Sequence, residues 1–299
     1  MVSWQMLVGG TVILYALGSI LEKKSLFKEH AMEYSATFSF LTALLSLPLL
    51  FFINLDVSGW YVGLIYLISL FGSLSFLLIA KGTKHMPISL SSPLFSFGPA
   101  FTALLGYFFL NEYLTGNQML GIILILLGSY VLEIEKKKSF FAELLSPIKT
   151  MAHSKYVHYV VFAILLVSVG GIVGRFMLNT DNPLAVNPIA YLIIFHVFTA
   201  FNFYVLITIY HDGFKGILHG LRNSGKIISL NAIVFVAARL LLVTAMAMPA
   251  AKIALIAGLR RMSTVVSAVL GGKLFHEGHM LQRSIACLIM VAGAILVVV

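Results

Sequence analysis

Apolar residues in this chain come in long unbroken stretches, with none of the strict alternation that marks half-buried strands. Ten such runs fall near 3–21, 33–54, 59–80, 87–110, 117–134, 157–178, 185–210, 227–247, 250–274 and 280–299. Each is long enough, or nearly so, for a bilayer crossing, which takes about 20 apolar residues as a helix. In hydrocarbon a span must satisfy its own backbone hydrogen bonds, so the runs predict ten α-helices. The alternation that an outer-membrane barrel requires is absent. The expected fold class is an all-α integral membrane protein with ten transmembrane helices.

Polar residues gather in the connections. The longest is EKKKSFFAELLSPIKTMAHSKY at 135–156, read as a linker. A second, HDGFKGILHGLRNSGK at 211–226, is expected to carry a short surface helix. The N-terminal MVSWQMLVGG has no basic leader, so it is read as part of a retained helix.

One stretch occurs twice. Residues 103–132 read ALLGYFFLNEYLTGNQMLGIILILLGSYVL, and residues 268–297 read AVLGGKLFHEGHMLQRSIACLIMVAGAILV. Superposed at one offset, Leu105-Gly106 meets Leu270-Gly271, Glu112 meets Glu277, and Gly128 meets Gly293. The repeat divides the chain into a five-helix unit at 1–138, the charged linker at 139–156, and a second five-helix unit at 157–299. An odd number of helices per unit makes the second copy enter the membrane upside down. Two inverted five-helix repeats give two interchangeable tilts about a central site, the plan of alternating access.

Composition agrees. Of 299 residues, 60% are hydrophobic and 10% charged, where a soluble domain has about a quarter charged. Mean hydropathy is +1.00. The formal charge of +9 comes mainly from lysines and arginines in the connections. There it sets orientation and is not a nucleic-acid signal. Connections 1–2, 3–4, 5–6, 7–8 and 9–10 hold the basic residues, among them Lys23, Lys24, Lys81, Lys136, Lys215 and Arg283. The opposite side has Arg175 and Lys252. The positive-inside rule then places the first set in the cytoplasm and both termini outside. The partners expected are a small-molecule substrate and membrane lipid, in a cell-membrane protein that is a monomer or homodimer.

The repeated segments resemble the drug/metabolite transporter superfamily, in its ten-helix EamA-type members. In the first half the resemblance is carried by Ala80, Pro87, Pro93, Pro99, Gly106, Glu112, Gly121 and Gly128. In the second it is carried by Ala245, Pro249, Gly271, Glu277 and Gly293, with Ala286 where Gly121 stands. Such likeness implies a secondary transporter of a small metabolite. The second half lacks counterparts of Pro93 and Pro99 and carries Arg260-Arg261 in that region, so the halves are expected to contribute unequally to a site.

Arg239, Arg260 and Arg261 lie inside apolar runs that hold no mid-span Asp or Glu. Charge at that depth is costly and should face a cavity or a partner. A guanidinium fork suits carboxylate or phosphate. The plainer reading is that these arginines bond backbone carbonyls or snorkel. At helical spacing Arg260 shares a face with Ser263, Thr264, Ser267 and Gly271, and Arg261 falls on another face, as a packing contact. Ser89, Ser92 and Ser96 make a stripe beside Pro93 and Pro99; close packing and a cavity lining both explain it. Tyr191, Phe195 and Phe198 form an aromatic face, for lipid-facing packing or for stacking a ring. His196 is read as a core histidine or a proton relay. Glu112 and Glu277 sit just before turns, where a carboxylate caps a following helix.

The substrate-binding candidates are therefore Arg260, Arg239, Ser263, Thr264, Ser92, Ser96 and Tyr191. Glu112, Glu277, Pro99, Gly106 and Gly271 are structural markers. FHEGH at 275–279 lacks the spacing of a zinc-protease helix, and no catalytic, cofactor or metal-ligand pattern stands out. The charge pattern favours an anionic or carboxylate-bearing metabolite. The alternatives are export of neutral or zwitterionic compounds such as amino acids, and a membrane enzyme or scramblase acting on lipid-linked anions.

Overall fold

The computed structural model describes residues 3–26, 29–85, 94–133, 154–267 and 280–298. In chain order the helices are α1 (Trp4–Leu26), α2 (Ala31–Ser46), α3 (Gly59–His85), α4 (Gly98–Leu110) and α5 (Gly116–Glu133). They continue as α6 (Lys155–Leu178), α7 (Pro188–Tyr210), α8 (Phe214–Ala247), α9 (Ile253–Arg260) and α10 (Met280–Val298). A 3-10 segment, Leu47–Phe52, tightens the end of the second run behind Pro48. No strand occurs among the described residues. Among the described residues six segments are long and apolar enough to cross a membrane: α1, α2 with its 3-10 extension, α3, α6, α7 and α8. Shorter apolar helices occur within α4, α5 and α10.

Two expectations change. Residues 211–226 are not a separate connection with its own helix: α8 runs unbroken from Phe214 for 34 residues. At 1.5 Å per residue it is about 51 Å long, well beyond a hydrocarbon core of about 30 Å. Its polar first turns, with Lys215, Arg222 and Lys226, extend the helix past its apolar part. The run at 250–274 is also not one straight helix, because α9 stops at Arg260.

The chain forms two compact units. One comprises Met1–Ser73 with Val173–Ala251, the other Leu74–Ile172 with Lys252–Val299. Each draws on sequence from both sides of the linker, and the boundaries fall inside α3 and α6.

In the first unit α1 lies along α8. Thr11 Oγ1 donates to the Ala238 carbonyl at 3.4 Å. A Cβ at Gly10 would stand 2.9 Å from Leu241 Cδ1, and one at Gly18 would stand 3.1 Å from Asn231 Oδ1. Rising positions on α1 meet falling positions on α8, so the two run antiparallel. Helix α2 packs on α8 through Tyr34, Leu41, Ile228 and Ala232.

In the second unit α5 and α10 touch backbone to backbone. A Cβ at Gly121 would lie 2.6 Å from the Gly293 carbonyl oxygen, and one at Gly293 would lie 2.6 Å from that of Gly121. A Cβ at Gly128 would lie 2.8 Å from the Ala286 carbonyl. Gly121 and Ala286 correspond in the sequence repeat, as do Gly128 and Gly293. Each therefore meets the counterpart of the other, and α5 and α10 are antiparallel. Small residues permit this approach in a membrane, where dispersion and weak polar contacts replace the hydrophobic effect.

Helix ends are closed locally. Asn111 takes the left-handed conformation (φ 52°) after α4, and its amide returns to the Gly106 carbonyl. Thr115 and Gln118 exchange hydrogen bonds in a capping box before α5, Gln118 N donating to Thr115 Oγ1 at 3.3 Å and Thr115 N to Gln118 Oε1 at 3.1 Å. Asn187 Oδ1 accepts from Ile189 N at 2.9 Å, and Pro188 opens α7. Large apolar side chains such as Phe51, Phe52 and Trp60 face outward, as lipid contact and its aromatic boundary require.

Gly121→Leu is expected to overpack the α5–α10 contact and cost about 1–3 kcal/mol or more. Gly9→Ala, at a site with nothing within 4 Å of the added methyl, is expected to be neutral or slightly stabilising. Thermal unfolding of the two variants in detergent checks the contrast.

Candidate functional site

Helix α7 is apolar on every side, and α8 places Arg239 against it. The Arg239 guanidinium stands over the Phe195 ring at 4.7 Å. Tyr191 stacks on Phe195, centroids 6.0 Å apart. His196 lies edge-on to Phe195 at 6.2 Å and 6.1 Å from Phe235 of α8. Phe235 in turn meets Tyr15 of α1 and Phe38 of α2, at 5.8 and 5.1 Å. Phe38 stacks on Tyr34, whose hydroxyl accepts a 2.7 Å hydrogen bond from Asn231. Four helices of the first unit thus contribute rings to one connected cluster, with the Arg239 guanidinium over its Phe195 member.

Two polar groups in this cluster lack partners. Arg239 makes no hydrogen bond or ion pair among the described residues, and its Nε is buried. His196 is 2% exposed, and neither ring nitrogen has a hydrogen-bond partner. Arg239 is close enough to act electrostatically on both Tyr191 and His196. Buried polar atoms without partners are costly and uncommon, so a native structure that keeps two together needs a reason. Both groups present N–H donors. A ligand that satisfies them together is an acceptor, and the guanidinium favours a negative one. Tyr191 is buried, its hydroxyl 3.0 Å from where a Cβ at Gly174 would lie, so Gly174 lets α6 pass close to this wall.

The remaining candidates lie in the second unit, around two interrupted helices. Leu94 and Phe95 are helical, Ser96 and Phe97 form a turn, and α4 starts at Gly98-Pro99. In the other half α9 ends at Arg260, Arg261 is a turn, and helix resumes over 262–267. At the offset of the sequence repeat Ser96 corresponds to Arg261, so both helices break at the same place. The Arg261 amide bonds the Gly258 carbonyl at 3.0 Å, and the Thr264 amide bonds the Arg261 carbonyl at 3.0 Å. These tight three-residue steps alter the phase of the helix. The single face predicted for Arg260, Ser263, Thr264 and Ser267 assumed regular α-helical turns, which the chain does not keep here.

Buried Ser96 pairs with Ser129 of α5, Oγ to Oγ 2.8 Å. Thr264 donates its hydroxyl to the Arg261 carbonyl at 2.7 Å. Ser263 and Arg260 are half-buried. Pro99 is buried in the first turn of α4. A Cβ at Gly98 would lie 3.8 Å from Arg261 Nη2, so the Arg261 guanidinium sits beside the start of α4. Ser92, Gly271 and Glu277 lie outside the described residues, as do Ser89 and Pro93.

Glu112 closes a helix, though not the one that follows it in sequence. Its Oε2 accepts from Ile253 N at 2.6 Å, capping α9, while Thr115 caps α5. Gly106 makes room for this junction: a Cβ there would lie 3.3 Å from Ile253 Cγ2 and 3.7 Å from Glu112 Oε2. Lys252 reinforces it by donating to the Tyr113 carbonyl and, at 3.3 Å, to Gln118 Oε1. A crevice of about 470 Å³ opens nearby, lined by Leu104, Tyr107, Phe108, Tyr113, Met119 and Ile123 among others. Those six side chains are exposed and apolar, so the crevice is a lipid-facing surface.

Arg175 lies in the last turn of α6, the helix end where the sequence places it. It is 3% exposed, and its guanidinium donates to the carbonyls of Met246, Met248 (2.9 Å) and Pro249 (3.0 Å). These carbonyls lie at and just beyond the end of α8, where the helical ladder runs out; that of Met248 also accepts from the Ala251 amide at 3.0 Å. Replacing Arg175 by Met is expected to cost about 1–3 kcal/mol, since it removes the donors that serve the buried Met246 carbonyl and the Pro249 carbonyl. A lower unfolding temperature in detergent, with no recovery on adding substrate, is the expected reading.

Residues 2–134 match the profile of the EamA-like transporter family. No curated protein matches the chain. Among solved structures, one crystal structure of a protein aligns with a TM-score of 0.73 over 98% of this chain and 95% of that one, at 14% identity. At that identity the likeness speaks for the fold.

Proposed function

We propose that this chain, a member of the EamA-like transporter family through residues 2–134, carries a small anionic or carboxylate-bearing metabolite across the membrane. The family is one of multi-pass membrane transporters, and the six long apolar segments agree. The observation that carries the substrate class is the pair of unpartnered donors, Arg239 and His196, inside the aromatic cluster. A carboxylate or phosphate accepts from both, while the rings of Phe195, Tyr191 and Phe235 hold its apolar remainder.

For mechanism, the reading is alternating access by two inverted five-helix repeats. The antiparallel, reciprocal contact of α5 with α10 supports it, because inverted copies present their last helices head to tail. So do the matched breaks at Ser96–Phe97 and Arg261, since broken helices within a membrane serve where backbone must face a polar ligand. Arg260, at the second break, is proposed separately as a substrate contact within the second unit. Orientation with both termini outside follows from the charge bias alone.

The test is uptake by the purified protein in proteoliposomes, after a thermal-shift screen identifies a stabilising anion. Arg239→Gln is expected to lower transport at least tenfold while leaving the unfolding temperature of the ligand-free protein within a few degrees. Arg260→Ala is expected to do the same. Wild-type rates in either variant remove that residue from the site. Stabilisation by zwitterionic amino acids and not by anions overturns the substrate class in favour of the neutral or zwitterionic exporter.

A further inference from the structure

A second polar cluster lies at the opposite end of α8 from Met248, where three chain segments converge. Glu29 sits in the short connection between α1 and α2, its amide bonded to the Ser25 carbonyl at 3.1 Å. Glu33 lies in the first turn of α2. His219 lies in the second turn of α8. One ligand atom from each of Glu29, Glu33 and His219 falls within 4.8 Å of the other two. Glu33 also belongs to a second such group with His211 and Asp212, in the connection from α7 to α8.

The inner group has an unusual member. Glu29 is 7% exposed, and neither carboxylate oxygen has a hydrogen-bond partner. A buried carboxylate aimed at a second carboxylate, without donors, is unfavourable unless a cation or a proton lies between them. An imidazole on the third side fits the cation, because it offers a neutral nitrogen lone pair.

The scaffold holds the three together. Gly213, at φ 59°, turns the chain from α7 into α8. Helix α2 then meets the start of α8 so closely that a Cβ at Gly220 would lie 2.4 Å from Thr37 Oγ1, and one at Gly216 would lie 3.6 Å from Glu33 Cγ. Thr37 donates across the contact to the Ile217 carbonyl at 3.2 Å. Glu33 and His219 are therefore fixed on facing turns near the starts of two helices, and Glu29 approaches from the loop.

From this arrangement we infer a divalent metal site of zinc class, with Glu29, Glu33 and His219 as ligands and water completing the shell. Two carboxylates balance the charge of a divalent ion. Zinc takes nitrogen at about 2.0–2.1 Å and carboxylate oxygen at about 2.0–2.2 Å, so two of its ligands lie no more than about 4.3 Å apart. The three atoms lie within 4.8 Å of one another without an ion, close to that range. Magnesium and calcium prefer shells made wholly of oxygen, and imidazole selects against them. The ion ties the α1–α2 connection to the start of α8. Nothing in this site depends on the transport reading, which rests on Arg239 and His196 farther along the same unit.

The experiment is calorimetric titration of the purified full chain in detergent, free of any affinity tag, with zinc chloride. One zinc per chain is expected, with a rise in unfolding temperature. Glu29→Gln is expected to weaken zinc binding at least tenfold, and Glu33→Gln likewise. His211→Ala and Asp212→Asn are expected to keep it. Should Glu29→Gln not fold, Glu33→Gln and His219→Gln carry the same expectation. Absence of saturable zinc binding, unchanged affinity in Glu29→Gln, loss confined to the His211 and Asp212 variants, or equal competition by magnesium overturns the assignment.

Discussion

A backbone carbonyl or amide that reaches the membrane interior without a partner costs several kcal/mol, and helices leave such groups at every end and every break. Much of this structure answers that demand. Arg175 spends its guanidinium on the carbonyls at the end of α8. Glu112 and Lys252 close the junction where α9 begins, and Thr264 takes up the carbonyl of Arg261 at the break. Charged side chains that look functional in a hydrophobic sequence are, in these cases, completing hydrogen-bond ladders.

Arg239 stands out against that background. It too sits in an apolar run, yet among the described residues it has an aromatic ring beneath it and no acceptor. His196, buried nearby, is equally unserved. Arg175 and Arg239 differ in what surrounds them: carbonyl acceptors beside the one, an aromatic ring beneath the other. The same reasoning separates Glu112, which is engaged by a helix amide, from Glu29, which is buried with neither oxygen engaged.

Close packing supplies the second constraint. The Gly121–Gly293 and Gly128–Ala286 contacts, and the fit of Gly220 on Thr37, bring backbones nearer than any larger side chain permits. In lipid, where apolar burial drives association weakly, such contacts decide which helices pair. They also set register, and register is what places Glu33 opposite His219.

The sequence by itself determined the apolar, all-helical, multi-pass character of the chain, because hydropathy and periodicity are local properties. It singled out Arg239, Ser96 and Glu112 as positions of consequence. It did not show which helix Glu112 caps, that α8 continues through 211–226, or that regular turns fail at Arg261. Those outcomes depend on partners far away in sequence, such as Ile253 for Glu112, and on tertiary contacts that extend or break a helix against its local pattern. Nor does any spacing bring together Glu29, Glu33 and His219: they lie on three segments, and only the packing of α2 against α8 makes them neighbours.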